Sequence, residues 1–157
     1  MIAEQNGIGF YCSQDIQSHD VFDYLLDKME GADRLIISSF AITEAYIRRI
    51  IRNRERIRHI DLVLDFTIAT RNPRIVMYTA HNVDNVYLAN NHSKTISIEK
   101  DGRSMVAVMS NNATNNYRFE SGIIITDPEV AREFGEQIRQ MISQSTRYGS
   151  GDHPAAD

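Results

Sequence analysis

The strongest constraint on the fold is a pair of runs, Arg34-Leu-Ile-Ile-Ser-Ser-Phe40 and His59-Ile-Asp-Leu-Val-Leu-Asp-Phe66, in which apolar side chains occupy successive positions. A strand with one wet face alternates polar and apolar residues; one that is apolar at neighbouring positions needs cover on both faces. Between the runs, Thr43 can cap a helix whose apolar positions Ala45, Ile47, Ile50 and Ile51 extend it to about Arg56. The same alternation continues on either side. Ile8 to Cys12 reads as a strand, and Ser18 opens a helix with Val21, Phe22, Leu25, Leu26 and Met29 on one face, ended by Gly31. Downstream, a proline-initiated helix from Pro73 to about His81 precedes strands at 85–89, 93–99, 105–109 and 122–126. The turn Lys100-Asp101-Gly102-Arg103 makes a hairpin of the middle pair, and Asp127-Pro128 starts a last helix carrying Val130, Phe134, Ile138, Met141 and Ile142. These elements predict an α/β fold, a central mixed β-sheet flanked by helices on both faces, with the hairpin supplying its antiparallel part. One domain is expected over 1–145, with 146–157, rich in Ser, Gly and Asp, as a flexible C-terminal tail.

Composition narrows the function classes. With 42% hydrophobic and 24% charged residues in 157, the chain has the makeup of one ordinary soluble domain. Its net charge of −4 means that the whole-molecule field does not recruit polyanions, so a nucleic-acid site must be a local basic patch. Cys12 is the single cysteine: it excludes an internal disulfide and a thiolate metal cage, suits a reducing compartment, and is expected to be a small buried hydrophobe. No segment approaches a membrane span and no secretory leader is visible, which points to a cytoplasmic protein without membrane partners. Phosphate-loop, His-Glu-x-x-His, Gly-x-Ser-x-Gly and dinucleotide-binding patterns are all missing. Asp61 and Asp65 lack the further carboxylates that a two-metal nuclease needs.

Strand periodicity places His92, Lys94, Ile96 and Ile98 on one face, so an imidazole and a fixed cation share the mouth of the sheet. The strand ending in Ser110-Asn111-Asn112 adds hydroxyl and amide donors, and Glu120, just before the next apolar strand, is positioned to reach a neighbouring imidazole. Among the asparagines at 111, 112, 115 and 116, turn chemistry accounts for all but Asn112, which has the position to contact a phosphate.

This pattern resembles the phospholipase D superfamily, whose signature is His-x-Lys, four residues, an acid, then Gly-Ser-x-Asn and a later glutamate. Here the corresponding residues are His92-Ser93-Lys94, four residues, Glu99, Met109-Ser110-Asn111-Asn112, and Phe119-Glu120-Ser121-Gly122. The resemblance spans roughly residues 8 to 142, with most of its specificity in 92 to 122 and a small one-motif, Nuc-like subgroup as the nearest match. Glu99 stands for the usual aspartate and Met109 for the usual glycine.

The resemblance implies a phospholipase D-like half-domain and a phosphodiesterase, with nucleases prominent among its smallest members. It implies that His92 attacks phosphorus to give a phosphohistidine, while Lys94, Asn112 and Ser110 hold the non-bridging oxygens and Glu120 orients His92, with Glu99 in support. No metal or other cofactor enters this scheme. Histidine suits it because an unperturbed imidazole, with a pKa near 6.5, offers both protonation forms around neutrality. Because one chain carries one motif and a full site takes two, a homodimer with a shared active site is expected, with nucleic acid, DNA ahead of RNA, as substrate. A lipid or small-molecule phosphodiesterase and a catalytically silent nucleic-acid-binding module are the alternatives. Arg48, Arg52 and Arg56, one turn apart on a helix face, and Arg118 are candidate nucleic-acid contacts.

Overall fold

In the computed structural model, which describes residues 1–149, the chain runs β1 (Ala3–Gln5), β2 (Ile8–Ser13), α1 (Ser18–Met29), β3 (Arg34–Ser39) and α2 (Glu44–Arg52). A single 3-10 turn (Arg54–Arg56) leads to β4 (Ile60–Asp65), α3 (Ile68–Arg71), α4 (Pro73–Asn82) and β5 (Asn85–Ala89). Then follow β6 (Thr95–Lys100), β7 (Arg103–Met109), β8 (Glu120–Ile125), α5 (Pro128–Ser143) and β9 (Thr146–Arg147). The strands form one sheet in the order β1-β2-β8-β7-β6-β3-β4-β5-β9. β3, β4 and β5 are mutually parallel, and the remaining pairings are antiparallel. The two runs that are apolar at successive positions are therefore neighbours at the parallel centre, where α1, α2 and α4 cover one face and α5 the other.

Side-chain parity explains the two layers. Leu35, Ile37, Leu62, Leu64, Ile96 and Ile98 point into the larger core with Val21, Leu25, Ile47 and Ile50. Ile36, Val63 and Val106 face the other way, onto Ala131 and Ile138 of α5. α5 starts where Asp127 accepts hydrogen bonds from the Glu129 and Val130 N–H groups and Pro128 fits the first turn. Its buried stripe is Ala131, Gly135 and Ile138; Val130, counted on the apolar face from sequence, is exposed.

Three other expectations are corrected, and one element is new. The N-terminal hairpin β1–β2 is an added element; its signal is Asn6-Gly7, both at positive φ as a two-residue hairpin turn requires. α2 stops at Arg52 rather than near Arg56, where the chain tightens into the 3-10 turn. Residues 146 and 147 are not tail but an edge strand on β5, with Leu88 opposite Thr146 and Tyr87 opposite Arg147; the remainder of the expected tail, from 150 onward, lies outside the described residues. Cys12 is exposed, because β2 turns Gly9 and Tyr11 into the core and Ile8, Phe10 and Cys12 outward, to a stretch of sheet that α5 leaves uncovered.

Candidate active site

Topology gathers the motif at one edge of the sheet. Parallel β3, β4 and β5 all end there, antiparallel β6 and β8 begin there, and β7 and β2 finish there. His92 and Lys94 sit on the approach to β6, which starts at Thr95, two residues later than the expected Ser93. Lys94 Nζ lies 3.4 Å from His92 Nδ1 and donates to the His92 carbonyl at 3.0 Å. The Met109 N–H donates to the Lys94 carbonyl at 3.0 Å, so Ser110 follows directly beside the pair.

Ser110 donates to Glu120 and its hydroxyl oxygen accepts from the Ser121 N–H at 3.0 Å. The other Glu120 oxygen accepts from the Asn116 amide at 3.2 Å. Within one chain Glu120 thus serves Ser110 and the loop after it, and makes no hydrogen bond to His92 among the described residues. The orienting role that the resemblance gives Glu120 is therefore not met by the His92 of its own chain. Asn112 turns its carbonyl oxygen inward, accepting from the Phe40 N–H at 3.3 Å, which leaves its NH2 as the donor available to a ligand.

A buried polar frame holds this edge in place. Asn91, 4% exposed, donates to the Ser39 carbonyl at 3.1 Å and accepts from the Ser93 N–H at 3.0 Å and the Ser93 hydroxyl at 2.7 Å. Its own N–H donates to Asp65 at 3.1 Å, and Asp65 also accepts from the Thr67 N–H at 3.1 Å and from the Thr67 hydroxyl. On the far side of the motif, Tyr11 donates to Asn111, whose amide donates to the Ile16 carbonyl at 3.0 Å. Burial, with the nearby Glu120 charge, pushes the Tyr11 phenol far above its usual value and keeps it a donor. Gly122 is needed here because a Cβ at that position would come within 2.6 Å of the Tyr11 ring.

His92 also meets Phe40, ring centroids 5.6 Å apart, and the Arg71 guanidinium lies 4.7 Å from the centroid of Phe40. Asn91, Tyr11, Phe40 and Arg71 escape a sequence reading, and so do the parts that Asp65 and Asn111 play in this frame. The visible signals are slight: an Asn-Asn pair before the histidine and an acid closing a doubly buried strand.

Other candidates fall away from the edge. Glu99 lies at the opposite end of β6, about 16 Å along the strand from Lys94, and pairs with Arg139 of α5. It secures a helix and does not belong to the site. A helix that follows a parallel strand runs back toward that strand's start, so Arg52 and Arg56 also reach the far edge, where the Arg56 carbonyl accepts from the Ala32 N–H. Arg56 pairs with Asp27 and Arg48 with Glu44, and the far-edge position of Arg52 and Arg56 sets those two apart from the candidate active site. Arg118 stays at the site edge, exposed and with no carboxylate partner among the described residues. Asp61 is bound to Arg34 and His59 four residues back along β4 from Asp65, so the two carboxylates do not share a site. Met109, where the resemblance has a glycine, packs in the larger core.

Burial pushes the Asp65 carboxyl up, but the Thr67 hydroxyl and N–H, the Asn91 N–H and the Arg71 charge outweigh it, leaving it below the ordinary value of 3.8. The native state therefore favours ionised Asp65. That stability is present above the ordinary value and is lost as pH falls through the lower native one. Asp65→Asn is expected to reduce the free energy of unfolding at neutral pH by about 2 kcal/mol and to flatten its decline below about pH 4, as read from urea titrations across pH.

No protein-family model and no curated protein sequence matches the chain, whereas solved structures do. Nuc from Salmonella typhimurium, a phospholipase D family member, superposes with a TM-score of 0.68 at 18% identity, over 91% of this chain and 98% of that one. NucT from Helicobacter pylori gives 0.69 at 16% identity, over 88% and 97%. The yeast tyrosyl-DNA phosphodiesterase gives 0.52 at 18% identity, over 75% of this chain and 32% of that one. The architecture is thus the phospholipase D fold. Nuc and NucT are its counterparts of nearly equal length, and the sequence-based expectation of a mixed sheet with helices on both faces holds in that fold.

Proposed function

We propose that the protein is a metal-independent phosphodiesterase that cuts nucleic acid, DNA ahead of RNA, in an active site shared across a homodimer. The observation that carries this reading is the convergence of His92, Lys94, Ser110, Asn112 and Glu120 on one sheet edge of a phospholipase D fold, a fold that acts on a DNA-linked phosphodiester in the yeast tyrosyl-DNA phosphodiesterase. His92 attacks phosphorus and becomes a phosphohistidine as the bond to the leaving oxygen breaks. The partner's His92 gives that oxygen its proton and then takes one from the water that cleaves the phosphorus–nitrogen bond, which restores both imidazoles. Lys94 and the Asn112 amide stabilise the charge on the pentacovalent intermediate. Ser110, held by Glu120, is the nearby hydroxyl.

Support for a second copy comes from the face that α5 leaves bare. Phe10, Ile123 and Val108 stand opposite one another on β2, β8 and β7, at 42%, 51% and 37% exposure, and this apolar strip runs up to Ser110 and Ser121. A two-fold contact there brings two motif edges together and hides a patch that a monomer would leave wet.

Incubation with single-stranded and plasmid DNA in excess EDTA tests the chemistry. Cleavage that persists at the rate seen without chelator is the expected result. Cleavage that chelation abolishes contradicts the metal-free scheme, and hydrolysis of a chromogenic diester without DNA or RNA cutting favours a small-molecule or lipid substrate.

A further inference from the structure

The loop from Asn111 to Phe119 presents two large rings to solvent beside the motif. Tyr117 is 83% exposed and Phe119 70%, with Arg118 between them. This exposure does not come from a loose backbone. Gln17, itself buried, donates to the Asn116 carbonyl at 2.5 Å and accepts from the Asn116 N–H at 2.9 Å. Asn116 in turn accepts from the Arg118 N–H at 2.8 Å and donates to Glu120 at 3.2 Å. The loop is anchored to the start of α1 and to the candidate active site, and its two aromatic faces point away from any core. Across His92, the Arg71–Phe40 pair repeats the combination of a cation with a ring.

Rings interleaved with cations suit a strand whose bases are unpaired. Each base offers a π face to stack, while a guanidinium meets the phosphate between two bases. In a duplex those faces are already stacked. We infer that Tyr117 and Phe119 stack on unpaired bases next to the scissile phosphate, with Arg118 on the intervening backbone, so that the preferred substrate is a single strand. This rests on the proposed phosphodiesterase reading only for the position of the scissile phosphate.

Binding tests it apart from cutting. In the His92→Ala protein, fluorescence anisotropy with labelled oligothymidylate and with duplex of the same length is expected to show at least about tenfold tighter single-strand binding at equal salt. Tyr117→Ala with Phe119→Ala is expected to weaken single-strand binding by about 10–100-fold while changing duplex binding by less than about twofold. Phe119→Tyr keeps a ring and is expected to keep the affinity. Equal affinity for both forms, an unchanged affinity in the double alanine variant, or a halved particle mass in that variant overturns the inference; the last places the rings between two copies. Strong single-strand binding by a wild-type protein that cuts nothing leaves this inference standing and removes the enzymatic reading.

Discussion

His92→Ala is expected to lower the rate of DNA cleavage in EDTA by at least about 10⁴-fold while leaving the unfolding free energy within about 0.5 kcal/mol of wild type. The loss is large because, in a shared site, one substitution removes both the nucleophile and the proton donor. The small effect on stability follows from the setting of the side chain. His92 is exposed, its ring touches Phe40, and among the described residues its one side-chain polar contact is with Lys94 at 3.4 Å. The buried frame that shapes this edge belongs to Asn91 and Asp65, and the substitution leaves it intact. Initial rates on plasmid and on single-stranded DNA, with thermal unfolding in parallel, measure both quantities. A variant that cuts like wild type removes His92 from the mechanism.

The second large effect concerns the bare sheet face. Phe10→Glu combined with Ile123→Glu puts two like charges on directly opposed positions of β2 and β8, and a two-fold contact doubles the number brought together. Light scattering is expected to show a change from about twice the 17.9 kDa chain mass to the single chain mass, with cleavage falling as the dimer is lost. Both positions already face solvent in the single chain, so the fold is expected to persist. A monomer that keeps its activity shows that one chain suffices; a dimer that survives places the contact elsewhere.

The part of this molecule legible in the sequence is the part written in local spacing. His92 and Lys94 meet because a single residue, Ser93, separates them, and Ser110 joins them because the Lys100–Arg103 turn fixes the register of a short hairpin. The doubly buried runs around Ile36 and Val63 imply cover on both faces, which is where helices are found. What stayed hidden depends on partners distant in the chain. Five residues of strand already set Glu99 far from Lys94, but its partner Arg139 appears only with the packing of α5. Arg56 looks free in a basic run until the fold brings Asp27 to it. Alternation in β2 decides that Cys12 opposes Tyr11, but its exposure follows from where α5 stops covering the sheet. Local spacing does not single out Asn91, and its role as the clamp between β3, β4 and the motif appears only when those three strand ends coincide.

The shared site is tested most directly by mixing subunits. Wild-type and His92→Ala chains, unfolded together and refolded at a series of ratios, assort at random into dimers. If each reaction needs an imidazole from both copies, activity falls as the square of the wild-type fraction, to about one quarter in an equal mixture. Activity that falls in direct proportion, to about one half, contradicts a site built from two His92 side chains.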